Sequence, residues 1–148
     1  MIRHDGFSLL ELLIVVAIIL IISTIAIPTL LHTRQAANES SAVANLRTIF
    51  NAEGTYILSS SGRYGGLSEL VAAGLMDTRF SGANSVSGYD YSVSTYLGGY
   101  TATALPASTN GGRYGYYMTT DAIPRYFTTS VANCNPCYPT NLAGEPVR

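Results

Sequence analysis

The chain has 148 residues, of which 47% are hydrophobic and only 11% charged, and its formal net charge is −1. That length allows one small domain plus an N-terminal segment. There is no lysine, the arginines form no basic stripe, and a nucleic-acid partner is therefore not indicated.

The first element is apolar. Gly6-Phe7-Ser8-Leu9-Leu10-Glu11 leads into the run Leu12 to Ile27, which carries no charge. Crossing the hydrocarbon core of a bilayer takes about 20 residues, and the wider segment 7–31 around this run is long enough. A secretory signal peptide has a short apolar core with a small-residue cleavage site behind it. No Ala-x-Ala site follows here, so residues 7–31 are expected to remain as a transmembrane helix. Arg3 and His4 before the helix, against Arg34 after it, favour a cytoplasmic N-terminus only weakly. Pro28 removes one helical hydrogen bond and crowds the carbonyl four residues back. It predicts either a kink or simply the helix end.

From Arg34 to Tyr56 the only Gly or Pro is Gly54, and Val43, Leu46, Phe50 and Ile57 recur at helical spacing with Ile49 beside them. One long helix bent at Pro28 follows, apolar all round at first and then on one face only. Arg34, Glu39, Arg47 and Glu53 are its expected polar flanks. Ser59-Ser60-Ser61-Gly62 breaks it. A short helix is expected from Leu67 to Ala73, with Leu67, Leu70 and Val71 inward and Gly74 as its stop.

Residues 81–88 read as a Gly/Ser/Asn loop. Strands are expected at Tyr89 to Tyr96 and Tyr100 to Ala104 around Gly98-Gly99, and at Arg113 to Thr119 after the turn Asn110-Gly111-Gly112. A fourth, Ile123 to Thr129, is interrupted by Pro124, which places it at an edge or makes Pro124 its end. The tail from Val131 to Arg148 has three prolines and no periodicity, and reads as a loop over the sheet. The fold class is α+β: a long N-terminal helix packed on a three- to four-stranded antiparallel sheet.

Gly6-Phe7-Ser8-Leu9-x-Glu11 followed by about twenty apolar residues resembles the class III signal of type IV prepilins and type II secretion pseudopilins. The resemblance covers roughly the first thirty residues. It implies a leader of residues 1–6, cleavage between Gly6 and Phe7 by a membrane aspartyl protease (the prepilin peptidase), and N-methylation of Phe7. It implies a filament-core helix over 7–31 and a pilin-type globular domain over 32–148. Asp5 makes this leader less basic than such leaders usually are. In the family, the glutamate matched by Glu11 pairs with the N-terminal amine of a neighbouring subunit. The plainer reading puts Glu11 in the headgroup zone, solvated and idle. The implied partners are other copies of the chain, the prepilin peptidase, the inner-membrane assembly machinery and membrane lipid. The implied location is the bacterial inner membrane for the precursor and the pilus or a periplasmic pseudopilus for the assembled subunit.

Cys134-Asn135-Pro136-Cys137 holds the only two cysteines. A redox site would need a βαβ context, and a zinc site two further ligands. A structural disulfide fits an export-side domain best, and its short loop suits local shape rather than a large entropic gain. The eleven tyrosines read mainly as sheet packing, with adhesive or subunit-contact surfaces as the alternative. Asn38-Glu39-Ser40 matches a glycosylation sequon, a short match of low specificity. No catalytic set emerges, so no enzyme and no cofactor is expected. With Glu145 alone in the tail, a calcium site like that of some pseudopilins is not supported.

The leading functional expectation is a structural subunit of a type IV pilus-like filament. A type II secretion pseudopilin is the alternative within the family. A monomeric membrane-anchored binding domain with an uncleaved anchor is the alternative outside it.

Overall fold

A computed structural model of the chain describes residues 7–81, 85–126 and 145–147. Gly6, Cys134, Cys137, the expected strand residues 127–129 and most of the tail lie outside the described residues. The chain divides into two units, Met1–Thr33 and Arg34–Arg148.

Helix α1 (Leu9–Ser59) is a single element of 51 residues with Pro28 inside it. The expectation of one long helix holds, and Pro28 does not end it. In the first unit its residues are exposed almost throughout, and an 18-residue window there has a mean hydropathy of 3.0 with none of it buried. By length and composition this segment can cross a membrane. Its hydroxyls bond inward along the helix. Ser23 Oγ donates to Ile19 O at 2.8 Å, Thr24 Oγ1 to Ile21 O at 2.7 Å, Thr29 Oγ1 to Ile25 O at 3.0 Å and Thr33 Oγ1 to Thr29 O at 2.9 Å. Polar atoms satisfied within one helix are what an apolar medium demands.

In the second unit α1 continues past Arg34 and becomes amphipathic. Ala42, Leu46, Ile49 and Ala52 are buried, and Val43, Phe50 and Ile57 are half-buried. The inward face is thus shifted from the expected stripe towards Ala42 and Ile49. Two expected flanking residues, Glu39 and Glu53, prove to be buried on it. The helix stops where Ser61 and Gly62 take positive φ and Gly62 N–H bonds to Ile57 O at 3.1 Å.

Helix α2 (Leu67–Ala72) follows. Glu69 Oε2 accepts from Gly66 N–H at 2.7 Å and closes its first turn. Gly74, at φ +71°, closes its end, with Leu75 N–H bonded to Leu70 O and Gly74 N–H to Val71 O. A 3-10 turn over Thr78–Phe80 is capped by Asp77, whose Oδ1 accepts from Arg79 N–H.

The sheet is antiparallel, in the order β1-β2-β3-β4-β5. Its strands are β1 (Tyr89–Tyr96), β2 (Gly99–Pro106), β3 (Tyr116–Thr119), β4 (Arg125–Tyr126) and β5 (Glu145–Pro146). A two-residue turn joins β1 to β2, with Tyr96 paired to Gly99 and Gly98 at φ +86°. The end of the expected loop, just before β1, forms a turn of its own. Val86 bridges Tyr89 across Ser87 and Gly88, both at positive φ, which makes a tight turn. The tail differs too, because Glu145–Pro146 adds a strand beside β4 and Val147 N–H reaches Pro124 O at 2.9 Å. Proline is tolerated there because β5 is the last strand of the sheet. The core joins Ala42, Leu46 and Ile49 of α1 to Tyr89, Tyr100, Ala102, Ala104, Tyr116 and Met118 of the sheet.

Candidate functional site

The N-terminal segment concentrates the candidate functional groups. Phe7 is exposed just before the helix, and Leu12 N–H to Ser8 O is the helix's opening bond. Ser8-Leu9-Leu10-Glu11 has the spacing of a capping box. Yet the Glu11 carboxylate makes no hydrogen bond or ion pair among the described residues, and Glu11 is exposed. Its position in the first turn places it where the helix dipole favours a negative charge. Beyond it lies the shallow groove formed by Leu9, Leu12, Leu13, Val16, Ala17 and Leu20, a wholly apolar strip on α1.

The second unit contains a device that composition alone did not reveal. Arg113, in the β2–β3 connection, meets Glu39 of α1 with three donors. Its backbone N–H and Nε reach Oε1 at 2.8 and 3.0 Å, and Nη2 reaches Oε2 at 2.9 Å. Arg113 also sits 5.3 Å from the centroid of the Tyr114 ring. The hydrogen bonds to Glu39, and the charge of that carboxylate, push the Arg113 guanidinium well above its ordinary value. Gln35 Nε2 donates to Thr109 O at 3.2 Å and Asn38 Nδ2 to Gly111 O at 2.8 Å, so three α1 side chains hold the β2–β3 connection. The geometry explains why Arg113–Gly115 is not part of β3, although the sequence suggested it: the backbone there is turned towards Glu39. The signal was present in the spacing. Glu39, Leu46 and Glu53 are seven residues apart, two helical turns each, and so share a face.

The same contacts decide the sequon. Asn38 is half-buried with its amide committed to Gly111 O, so it is a tertiary contact and not an open acceptor for a glycan. The tyrosines are mostly packing groups, as expected. Tyr89, Tyr116, Tyr126 and Tyr114 form a run of ring contacts with centroids 5.9, 6.2 and 5.4 Å apart, and Tyr89 Oη donates to Tyr114 O at 2.8 Å. No cluster of three or more metal-ligating side chains occurs among the described residues.

Residues 1–27 match the prokaryotic N-terminal methylation motif. The chain is 40% identical over 62 residues to the type IV major pilin protein PilA of Myxococcus xanthus. Over that stretch the chain is similar to a type IV pilin. It is also 36% identical over 73 residues to the type IV wide pilus major component PilA4 of Thermus thermophilus. These matches take in 42% and 49% of the chain, and 28% and 56% of the two pilins. The chain therefore spans less than two thirds of the length of either relative. One relative is named as a major pilin and the other as a major component of a wide pilus. The pilin resemblance read from Gly6, Phe7 and Glu11 thus rests on a matching family motif and on matching chains.

Proposed function

We propose that the chain is a structural subunit of a type IV pilus-like filament. In this reading a prepilin peptidase cuts between Gly6 and Phe7, and the new N-terminus at Phe7 is methylated. The processed chain waits in the inner membrane with residues 7–31 as its anchor. An assembly machine then withdraws it into a helical homopolymer at the cell surface.

One observation carries the reading: a single unpartnered acid, Glu11, at the head of an exposed apolar helix. More than a dozen large apolar side chains are open between Phe7 and Leu31. Leaving each of them in water forgoes about 1.5–3 kcal/mol, on the order of tens of kcal/mol together. Lipid covers them before assembly, and neighbouring copies cover them after. A carboxylate in that setting is costly unless a cation answers it. The amine of a neighbour's Phe7 would answer it, and the attraction, strong at low dielectric, would fix the axial register between subunits. Pro28 supports a second role within the same reading. The amide bond that proline cannot make gives α1 a point of bending during packing. Pro28→Ala filaments with wild-type assembly and flexibility would remove that role.

The test is intact mass and N-terminal sequence of the chain from sheared extracellular material and from membranes. A chain beginning at methylated Phe7 in the sheared fraction is the expected result. The same processed chain confined to the envelope would favour a secretion pseudopilin. A chain still starting at Met1 in both fractions would leave the uncleaved-anchor reading standing instead.

A further inference from the structure

Glu53 is the second buried carboxylate of α1, and its setting differs from that of Glu39. It is 0% exposed. Its Oε2 accepts from Gly65 N–H at 3.0 Å, which ties the loop after α1 back onto the helix. That loop is closely seated, because Gly65 packs so tightly on the Tyr56 ring that a Cβ there would lie 2.8 Å from it. Glu53 Oε1 has no hydrogen-bond partner among the described residues. The hydroxyl of Tyr100, buried within electrostatic range of Glu53, has none either.

The groups that face this site are acidic or phenolic. Tyr100 comes from β2, with the Tyr64 ring of the loop 5.1 Å from its own. Glu69 comes from α2, and its carboxylate already caps Gly66. Asp121, beyond Tyr100, is paired with Arg125. Of the other described arginines, Arg113 is held by Glu39 and Arg79 by Asp77, while Arg34, Arg47 and Arg63 are exposed and form no ion pair among the described residues. An ionised Glu53 would thus present one bare oxygen to a site with no cation among the described residues, which is strongly unfavourable.

We propose that Glu53 is a proton-dependent latch: as a neutral acid it keeps loop 60–66 seated on α1, and losing its proton to solvent releases that loop. Oε2 accepts from Gly65 in the closed state while Oε1 carries the proton as a hydroxyl, the form a buried site tolerates. Deprotonation transfers one proton to water or buffer base and leaves a carboxylate, which gains solvation only if the loop lifts. Burial pushes the Glu53 carboxyl up; the Gly65 hydrogen bond opposes this, and the Glu69 charge adds to it. The sign follows directly. A carboxyl raised in the folded state contributes its full stabilisation below the ordinary carboxylate range and loses it as pH rises through the raised value. The latch is therefore tightest below the ordinary carboxylate range and loosens as pH rises through the raised value. The loop it controls carries Gly62, Arg63 and Tyr64, which line a groove of about 310 Å³ with Thr95, Tyr96, Leu97 and Gly98 of the β1–β2 hairpin, so the proton would govern the shape of that surface.

The experiment uses the full chain in detergent micelles. Infrared spectra across a pH titration should show a protonated-carboxyl carbonyl band that outlasts the ordinary glutamate range. The band should vanish in Glu53→Gln and persist in Glu11→Gln, which controls for the other acid in an apolar setting. Hydrogen exchange at the Gly65 amide, corrected for its intrinsic pH dependence, should lose protection about tenfold per pH unit through the same titration, the slope of one linked proton. In Glu53→Gln it should stay flat. A Glu53 band that disappears within the ordinary glutamate range overturns the proposal, as does pH-independent protection of Gly65 in the wild type. Should Glu53→Gln fail to fold, carboxyl-carbon NMR of the five wild-type glutamates decides the same question. Ordinary titration of every one of them ends the proposal, and one raised titration that tracks Gly65 exchange sustains it.

Discussion

The two halves of α1 form one continuous helix but differ in composition and solve opposite problems. Between residues 9 and 33 the apolar side chains run all round the helix and stay exposed, and the hydroxyls bond back to the helix's own carbonyls. Between residues 34 and 59 the apolar residues keep to one face, and the sheet of the same chain covers it. The acids follow the same division. Glu11 has no partner in its own chain among the described residues, whereas Glu39 is met by three donors from Arg113. What separates the halves is therefore whether their partners lie in the same molecule. A change in the first half should register in assembly, and a change in the second in folding.

The largest effect tests that division at Glu11. Glu11→Leu should leave the chain processed and folded but cut its yield in sheared filaments roughly tenfold or more, the factor corresponding to about 1.4 kcal/mol of lost subunit pairing. Quantifying sheared against membrane-bound protein gives the answer, and an undiminished filament yield would break the comparison at its most important point. Next come the apolar residues. Leu46→Ala removes a fully buried side chain and should lower unfolding stability by about 3 kcal/mol. Leu13→Ala should leave the denaturant midpoint of the globular unit unchanged. If the two variants behaved alike, the halves would not be independent.

Arg113→Ala sharpens the comparison within the second half. Arg113 is half exposed, so the loss should be about 2 kcal/mol, below the 3–5 kcal/mol typical of a fully buried broken pair. A double-mutant cycle with Glu39→Gln should assign most of that loss to the pair; additive losses would make the pair incidental. The smallest effect is expected at Asp121. Burial pushes its carboxyl up, but hydrogen bonds from Arg125, Thr119 and the Ile123 N–H outweigh that and hold it below its ordinary value. Its stabilisation is complete above the ordinary carboxylate range and fades as pH falls through the lowered value. Asp121→Asn should flatten the acid limb of stability below about pH 4. An acid limb of the same slope in that variant would assign the effect to other carboxylates.

Much of this was legible where one local signal sufficed. Strand β1 occupies Tyr89 to Tyr96 as its aromatic and β-branched content ahead of Gly98-Gly99 foretold, and α2 stops at Gly74, a residue at ease with the positive φ that closes a helix that way. The misreadings came where distant residues decide. Glu39 and Glu53 read as flanks because charge ordinarily marks a wet face, and only a donor 74 residues away makes Glu39 a buried one. Strand β3 is shorter than its tyrosines suggested because Arg113 is drawn off to Glu39. Strand β5 is two residues long and contains Pro146, too little for periodicity to register. At the candidate site, Gly6, Phe7 and Glu11 stood out together because their signal is compact. The Glu39–Arg113 pair is spread over half the chain and did not.

That separation also imposes an order on the birth of the molecule. Glu39 leaves the ribosome 74 residues ahead of Arg113, several seconds at about 5–20 residues per second. During that interval the stripe of Ala42, Leu46 and Ile49 has neither its sheet nor its counterion. In the proposed reading, with residues 7–31 as the anchor, the chain would be anchored before its second unit is folded. A chain halted short of Arg113 should remain protease-sensitive around Arg47, and one carried past β3 should not.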